Sequence, residues 1–239
     1  MDAPIAAVIS TTIVTAKPYF ELFFKGSAKQ IGAMFSESAG LWRLENRLRI
    51  LKKAKELCDE RSVKPEKLLP DVLIPLMEAA GDTDDPVLSD MFAGLLANNL
   101  DPARQNDVHP AFAKVGNQLA PLDARILELI DASYRIMEET KGVSSVPCTH
   151  LTLGNQIGRT WPAFELNIQN LERLGLLKAS GPGTEWKGSC WNFTAFGLRF
   201  LSACSKGKYW RDAEWERTLE HIAQVEKNKL RTANSASNE

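Results

Sequence analysis

The sequence predicts a mainly α-helical protein with one small β-hairpin. Three observations carry that prediction. Apolar residues recur every three or four positions through most of the chain, the period of a helix buried on one face. Proline and glycine punctuate these stretches, as at Pro121, Gly142 and Gly175. Uneven alternation around a turn-forming run, Ser180-Gly181-Pro182-Gly183, marks the one place where paired strands are expected.

Composition bounds the rest. At 239 residues, 44% apolar and 25% charged, the chain is long enough for one large or two small domains of an ordinary soluble protein. A net charge of −1 excludes a chain-wide attraction to nucleic acid or membrane, so any such attraction is local. Residues 1–70 carry 12 basic and 8 acidic groups, residues 71–118 carry 2 and 8, and residues 119–205 carry 8 and 8. Only the middle is strongly biased. Cys58, Cys148, Cys190 and Cys204 are widely spaced without a C-x-x-C, which fits reduced thiols in the cytoplasm. Cys148-x-His150 is the only metal-like pair, two ligands short of a zinc site. No cofactor is expected.

Residues 3–16 are uncharged and apolar, too short to span a bilayer and lacking the basic start of a signal peptide. A first helix or partly ordered terminus is preferred to membrane-surface contact. Tyr19, Phe20, Leu22, Phe23 and Phe24 form an aromatic-apolar cluster, and Gly26 and Gly32 weaken any helix over 28–35. Leu41, Leu44, Leu48, Leu51 and Cys58 then define a helix to about Arg61. Its basic residues, Arg43, Arg47, Arg49, Lys52, Lys53 and Lys55, read as a solvated face in preference to a surface for an acidic partner. Pro75 suits the first turn of a helix leading to Glu78 and ending at Gly81.

Asp82-Thr83-Asp84-Asp85-Pro86 reads as a helix N-terminus, where carboxylates cap free amides and oppose the macrodipole. The helix carries Leu88, Met91, Phe92, Leu95 and Leu96 and is expected to stop at Asn98-Asn99-Leu100-Asp101-Pro102. His109-Pro110 opens a helix with Phe112, Val115 and Leu119. A competing reading gathers Glu78, Asp84, Asp85, Asp101 and His109 into a metal-dependent phosphodiesterase site. The sequence has no H-E-x-x-H, nucleophile elbow or Gly-rich phosphate loop to support it.

Pro121, Leu122, Ile126, Leu127, Ile130, Tyr134 and Met137 mark a helix closed by Lys141-Gly142. Leu151, Leu153 and Ile157 supply a short second helix. Thr160 is expected to cap a third, running to Leu174 with Phe164, Ile168, Leu171 and Leu174 buried, and ended by Gly175. A strand over Leu176–Ala179 and a return strand over Glu185–Phe193 follow, and Thr194 caps a helix with Phe196, Phe200, Leu201 and Cys204. This order is that of a winged helix-turn-helix. Trp215, Leu219, Ile222 and Val225 form a last amphipathic helix, able to dimerise or to cover its own core. The domains expected are 1–118, a helical body; 119–205, the winged-helix module; and 206–239, the C-terminal helix and polar tail.

The acidic lead-in, LLANNLDP, HPAF, QLAPLDARIL, LERLGLL and FTAFG, together with Asn46, Lys53-Ala54 and the Pro65 to Pro75 segment, resemble the abortive-infection alpha family of bacterial proteins over most of the chain. The resemblance implies a role in defence against phage. It brings no mechanism and no catalytic residues, and it makes Asp84, Asp85, Asn98, Asp101 and His109 a family segment with a structural or partner-binding role.

Three function classes follow, in order of preference. The first is a non-enzymatic defence protein that binds a protein partner or phage-derived trigger. The second is a DNA-binding regulator using Arg159, Asn167, Asn170, Arg173, Lys178 and Lys187, with the asparagines on adenine edges; the zero net charge of 119–205 disfavours it. The third is a hydrolase using the Glu78 to His109 segment. No membrane span is expected, and the C-terminal helix could make a homo-oligomer.

Overall fold

The structure is a computed structural model, described over residues 41–64, 70–141, 148–180 and 190–206. The chain is mainly helical, as the periodicity predicts. Eight α-helices are present among the described residues: α1 Leu41–Glu60, α2 Pro70–Gly81, α3 Pro86–Leu100, α4 Pro110–Gly116, α5 Pro121–Lys141, α6 His150–Ile157, α7 Glu165–Arg173 and α8 Ala195–Cys204. Three short strands lie among the same described residues: β1 Cys148–Thr149, β2 Leu177–Ser180 and β3 Cys190–Phe193. The expected elements at residues 3–16, 19–24 and 28–35, the Ser180–Gly183 turn beyond Ser180, and the helix through Trp215 to Val225 lie outside the described residues.

Helix α3 is the hub. Its residues Met91 to Leu100 are all buried, and α1, α2, α4, α5 and α8 all pack against it. A helix that is apolar nearly all round has this place in a fold, because only the interior can cover every face. Asp85 caps it, its carboxylate accepting the Leu88 N–H at 2.9 Å, and Pro86 fills the first turn. The other two acids act differently. Asp82 pairs with Arg43 at 2.6 Å, and Asp84 is simply exposed.

Helices α2 and α3 have other bounds than expected, both for reasons of burial. Helix α2 starts at Pro70, so Pro75 lies in its interior. Proline there removes one backbone bond, yet Val72, Leu73, Leu76, Met77, Ala79 and Ala80 are all buried, which holds the helix together. Helix α3 runs through Asn98 and Asn99 to Leu100, because both asparagines are buried in the interior instead of forming a turn. Pro102 still sets the limit, with Asp101 extended at ψ 113° as the residue before a proline prefers.

The basic residues of α1 tie it to its neighbours. Asn46 donates to the Gly81 carbonyl at 3.2 Å and Arg47 to the Met77 carbonyl at 2.8 Å, so the C-terminus of α2 meets donors and a cation. Arg49 donates to the Thr83 carbonyl at 3.1 Å, and Lys53 pairs with Asp90 at 2.7 Å.

In the second half, the three strands form one antiparallel sheet of order β1-β3-β2, with Cys148 opposite Trp191 and Ala179 opposite Trp191 on the other side. The hairpin was foreseen; β1, two residues long, was not. A 3₁₀ turn, Trp161–Ala163, precedes α7, so Thr160 does not cap an α-helix and α7 begins at Glu165. Pro162 disfavours α geometry at Trp161, which accounts for the late start. Gly175, at φ +71°, ends α7 as expected, with Leu176 N–H returning to the Leu171 carbonyl.

Helix α8 is seated by two glycines. A Cβ on Gly94 of α3 would stand 1.9 Å from the Cys204 carbonyl oxygen, and one on Gly197 would stand 2.1 Å from that of Leu176. No side chain fits at either contact. Thr194 caps α8 through the Gly197 N–H at 2.9 Å, and its hydroxyl donates to the Gly175 carbonyl.

Candidate functional site

The residues singled out in the acidic segment are spread among local tasks. Glu78 is exposed on α2. Asp101 accepts the Ala103 N–H at 2.9 Å, closing the turn after α3. His109 caps α4, its Nδ1 accepting the Ala111 N–H at 3.1 Å. Asn98 is bonded elsewhere, donating to the Ala203 carbonyl at 2.7 Å and to that of Ser205 at 3.1 Å, while its oxygen receives Arg61 at 2.6 Å. Among the described residues no group of three or more His, Cys, Asp or Glu side chains is placed to hold a metal. The side chains of Cys148 and His150 lie outside the described ones.

The described thiols are held in the protonated form. Burial pushes Cys58 up to about 11 despite the nearby Arg61 cation, and burial alone raises Cys204 well above its ordinary value. A thiol of that kind is a poor nucleophile at neutral pH.

The second group of candidates converges on a residue that sequence reasoning did not single out. Asp123, 1% exposed, stands in the first turn of α5 and accepts the Ala120 N–H at 2.8 Å. Asn167 donates to its Oδ1 at 2.8 Å and Asn170 to its Oδ2 at 2.7 Å. Asn170 also donates to the Gln118 carbonyl at 3.0 Å. Arg173 in turn donates to Asn170 Oδ1 at 2.7 Å and, through both terminal nitrogens, to Gln118 Oε1 at 3.1 Å. The spacing Asn167, Asn170, Arg173 is one helix face, three residues per step. That periodicity was the available signal.

One apolar side chain stands outward on α7 among polar ones. Phe164, Ile168 and Leu171 are buried, whereas Leu166, on the opposite side, is 77% exposed, with Gln169 exposed and Glu165 half-buried. Arg159 and Lys178 are exposed beyond the two ends of this helix. Lys187 lies outside the described residues.

A groove of about 560 Å³ opens elsewhere, where the family segment meets α8. Asp107, His109 and Phe112 line one wall and Ala195, Phe196 and Arg199 the other. The rings of its floor are fixed: Phe112 lies 5.3 Å from Phe196, tilted by 57°, and 5.6 Å from Phe200, nearly edge to face. Sequence reading missed this pairing because its halves are over eighty residues apart. The shared feature was a capping residue followed by an aromatic in the first turn, His109 with Phe112 and Thr194 with Phe196.

A family model described as abortive infection alpha matches residues 45–204. Nothing matches among curated proteins or among solved structures.

Proposed function

The chain belongs to the abortive infection alpha family, and from that membership we propose that it acts in phage defence without catalysis of its own, by binding a protein partner or phage-derived protein trigger. The observation that carries this reading is the outward face of α7. In a DNA-reading winged helix, the third helix meets phosphates with basic groups and bases with polar ones. Here the asparagines are bonded to Asp123 and Arg173 to Gln118 and Asn170. Leucine stands exposed in the first turn of that helix, Leu166 at 77%. An apolar side chain held in water on a rigid helix suits a protein contact, where burying it contributes about 1.5–3 kcal/mol.

The reading is tested by placing a photo-crosslinking phenylalanine analogue at position 166 and irradiating infected cells. A discrete protein adduct, formed at 166 but not at exposed Glu78, is the expected result. Adducts confined to nucleic acid would overturn the reading in favour of a DNA-binding regulator.

A further inference from the structure

The groove between α4 and α8 is a second surface, built of different chemistry, and the geometry points to it as a docking site for a protein segment in which an apolar side chain stands next to a lysine or arginine. The inference rests on the protein-binding reading above and adds a site and a ligand class to it.

The floor selects the apolar anchor. Phe112 is buried and Phe196 half-buried, and their mutual contact, with Phe200 behind, holds the rings in place without an occupant. A preformed apolar floor costs little to order when a side chain enters. The volume, about 560 Å³, falls in the range of small ligand pockets, roughly 300–1,000 Å³. It admits one large side chain and the backbone beside it.

The rim selects the charge. Asp107 is exposed on a 3₁₀ turn, Gln105–Asp107, with no buried residue. The nearest arginine in sequence, Arg104, is directed away, donating to the Ser202 carbonyl at 3.0 Å and to Ser205 Oγ at 3.5 Å. Asp107 is the one carboxylate among the lining residues, and it draws a cation to its side of the groove and opposes a phosphate there.

His109 supplies the backbone contact. Its Nδ1 accepts the Ala111 N–H, so the neutral ring carries its proton on Nε2 and offers a donor to a peptide carbonyl. Arg199 stands exposed on the far wall, so the acidic side of the groove is the Asp107 side.

The full chain is panned against a yeast-displayed library of random heptapeptides, and the enriched peptides are synthesised and titrated. Sequences pairing Phe, Tyr, Leu or Met with an adjacent Lys or Arg are the expected product. Asp107→Lys should weaken them by about fivefold to tenfold, the effect of reversing one rim charge. Ala195→Tyr should abolish binding by filling the groove, with an unchanged melting temperature because Ala195 is exposed in the first turn of α8. Leu166→Ser should leave peptide affinity unaltered. Enriched peptides whose affinity survives both groove variants overturn the groove while leaving the protein-binding reading standing. Enrichment of acidic peptides, or none at all, also overturns it, and the crosslink at 166 then judges the broader reading independently.

Discussion

Two polar clusters among the described residues hold helices by their ends, one around Asn98 at the C-terminus of α8 and one around Asp123 at the N-terminus of α5. Around Asn98 the donors converge on the last carbonyls of α8: Asn98 reaches Ala203 and Ser205, Arg61 reaches Ser205 and Lys206, and Arg104 reaches Ser202. Around Asp123 the charges are reversed. A carboxylate sits in the first turn of α5 and collects N–H groups from Ala120, Asn167 and Asn170. Cations at a helix C-terminus and carboxylates at an N-terminus each oppose the macrodipole. Both centres are sealed, Asn98 at 0% exposed and Asp123 at 1%, but the side chains around the first, Arg61 and Arg104, are half-buried, whereas those around the second, Gln118 and Arg173, are open to solvent. The difference teaches that residues resembling an acidic site or a base-reading set can be helix-end chemistry. Surfaces available for recognition are what this chemistry leaves uncovered.

The largest expected effect breaks the seat of the first cluster. Gly94→Val puts a branched side chain where even a Cβ would stand 1.9 Å from the Cys204 carbonyl. We expect a loss above about 4 kcal/mol, or no soluble protein at all. Urea unfolding and soluble yield measure it.

Next come the clusters themselves. Asn98→Ala should cost about 2–4 kcal/mol, because it removes the donor from the buried Ala203 carbonyl and one of the two donors at Ser205, and takes from Arg61 its Asn98 oxygen. Asp123→Ala should cost about 1–3 kcal/mol, and Arg173→Ala, at the exposed edge, under about 0.5 kcal/mol. Equal losses from Asn98 and Arg173, read by denaturant midpoints, would erase the distinction between sealed and open.

A smaller effect is read by pH. Asp90 joins α3 to the end of α8 through Lys206 and to α1 through Lys53. Burial alone would raise its pKa, but the hydrogen bonds and charges of Lys206 and Lys53 outweigh that and hold it below the ordinary aspartate value. A lowered folded pKa gives stability that is full above the ordinary aspartate range and is lost as pH falls toward the lowered value. The stability gap between wild type and Asp90→Asn should therefore shrink as the solution is acidified through that range. A constant gap would show that the ion pairs contribute nothing.

The smallest effect separates neighbours. Asp85→Ala should cost about 0.5–2 kcal/mol as a lost cap, and exposed Asp84→Ala almost nothing, both read from thermal melts.

These losses follow how the sequence could be read. Asp85, His109, Gly175 and Thr194 are legible because each acts on backbone within three or four residues of itself. The stripe of α3 is legible because burial repeats with the helix. Pro75 and Thr160 mislead, since tertiary burial keeps one inside a helix and Pro162 delays the helix after the other. Asn98 reads as a turn former because its burial against α8 is set more than 100 residues away. Asn167 and Asn170 read as base-reading groups for the same reason: Asp123, their acceptor, is over forty residues earlier. The groove is the extreme case, since neither wall shows its function until the other is beside it.

We propose that α7 presents a protein contact and not a DNA-reading face. Titration of the full chain with random genomic duplex at physiological salt, alongside Leu166→Ser and an Arg159→Ala, Arg173→Ala double variant, tests it most directly. The account predicts no sub-micromolar binding by any of the three. Sub-micromolar binding by the wild type, lost in the arginine double variant and kept in Leu166→Ser, would contradict it.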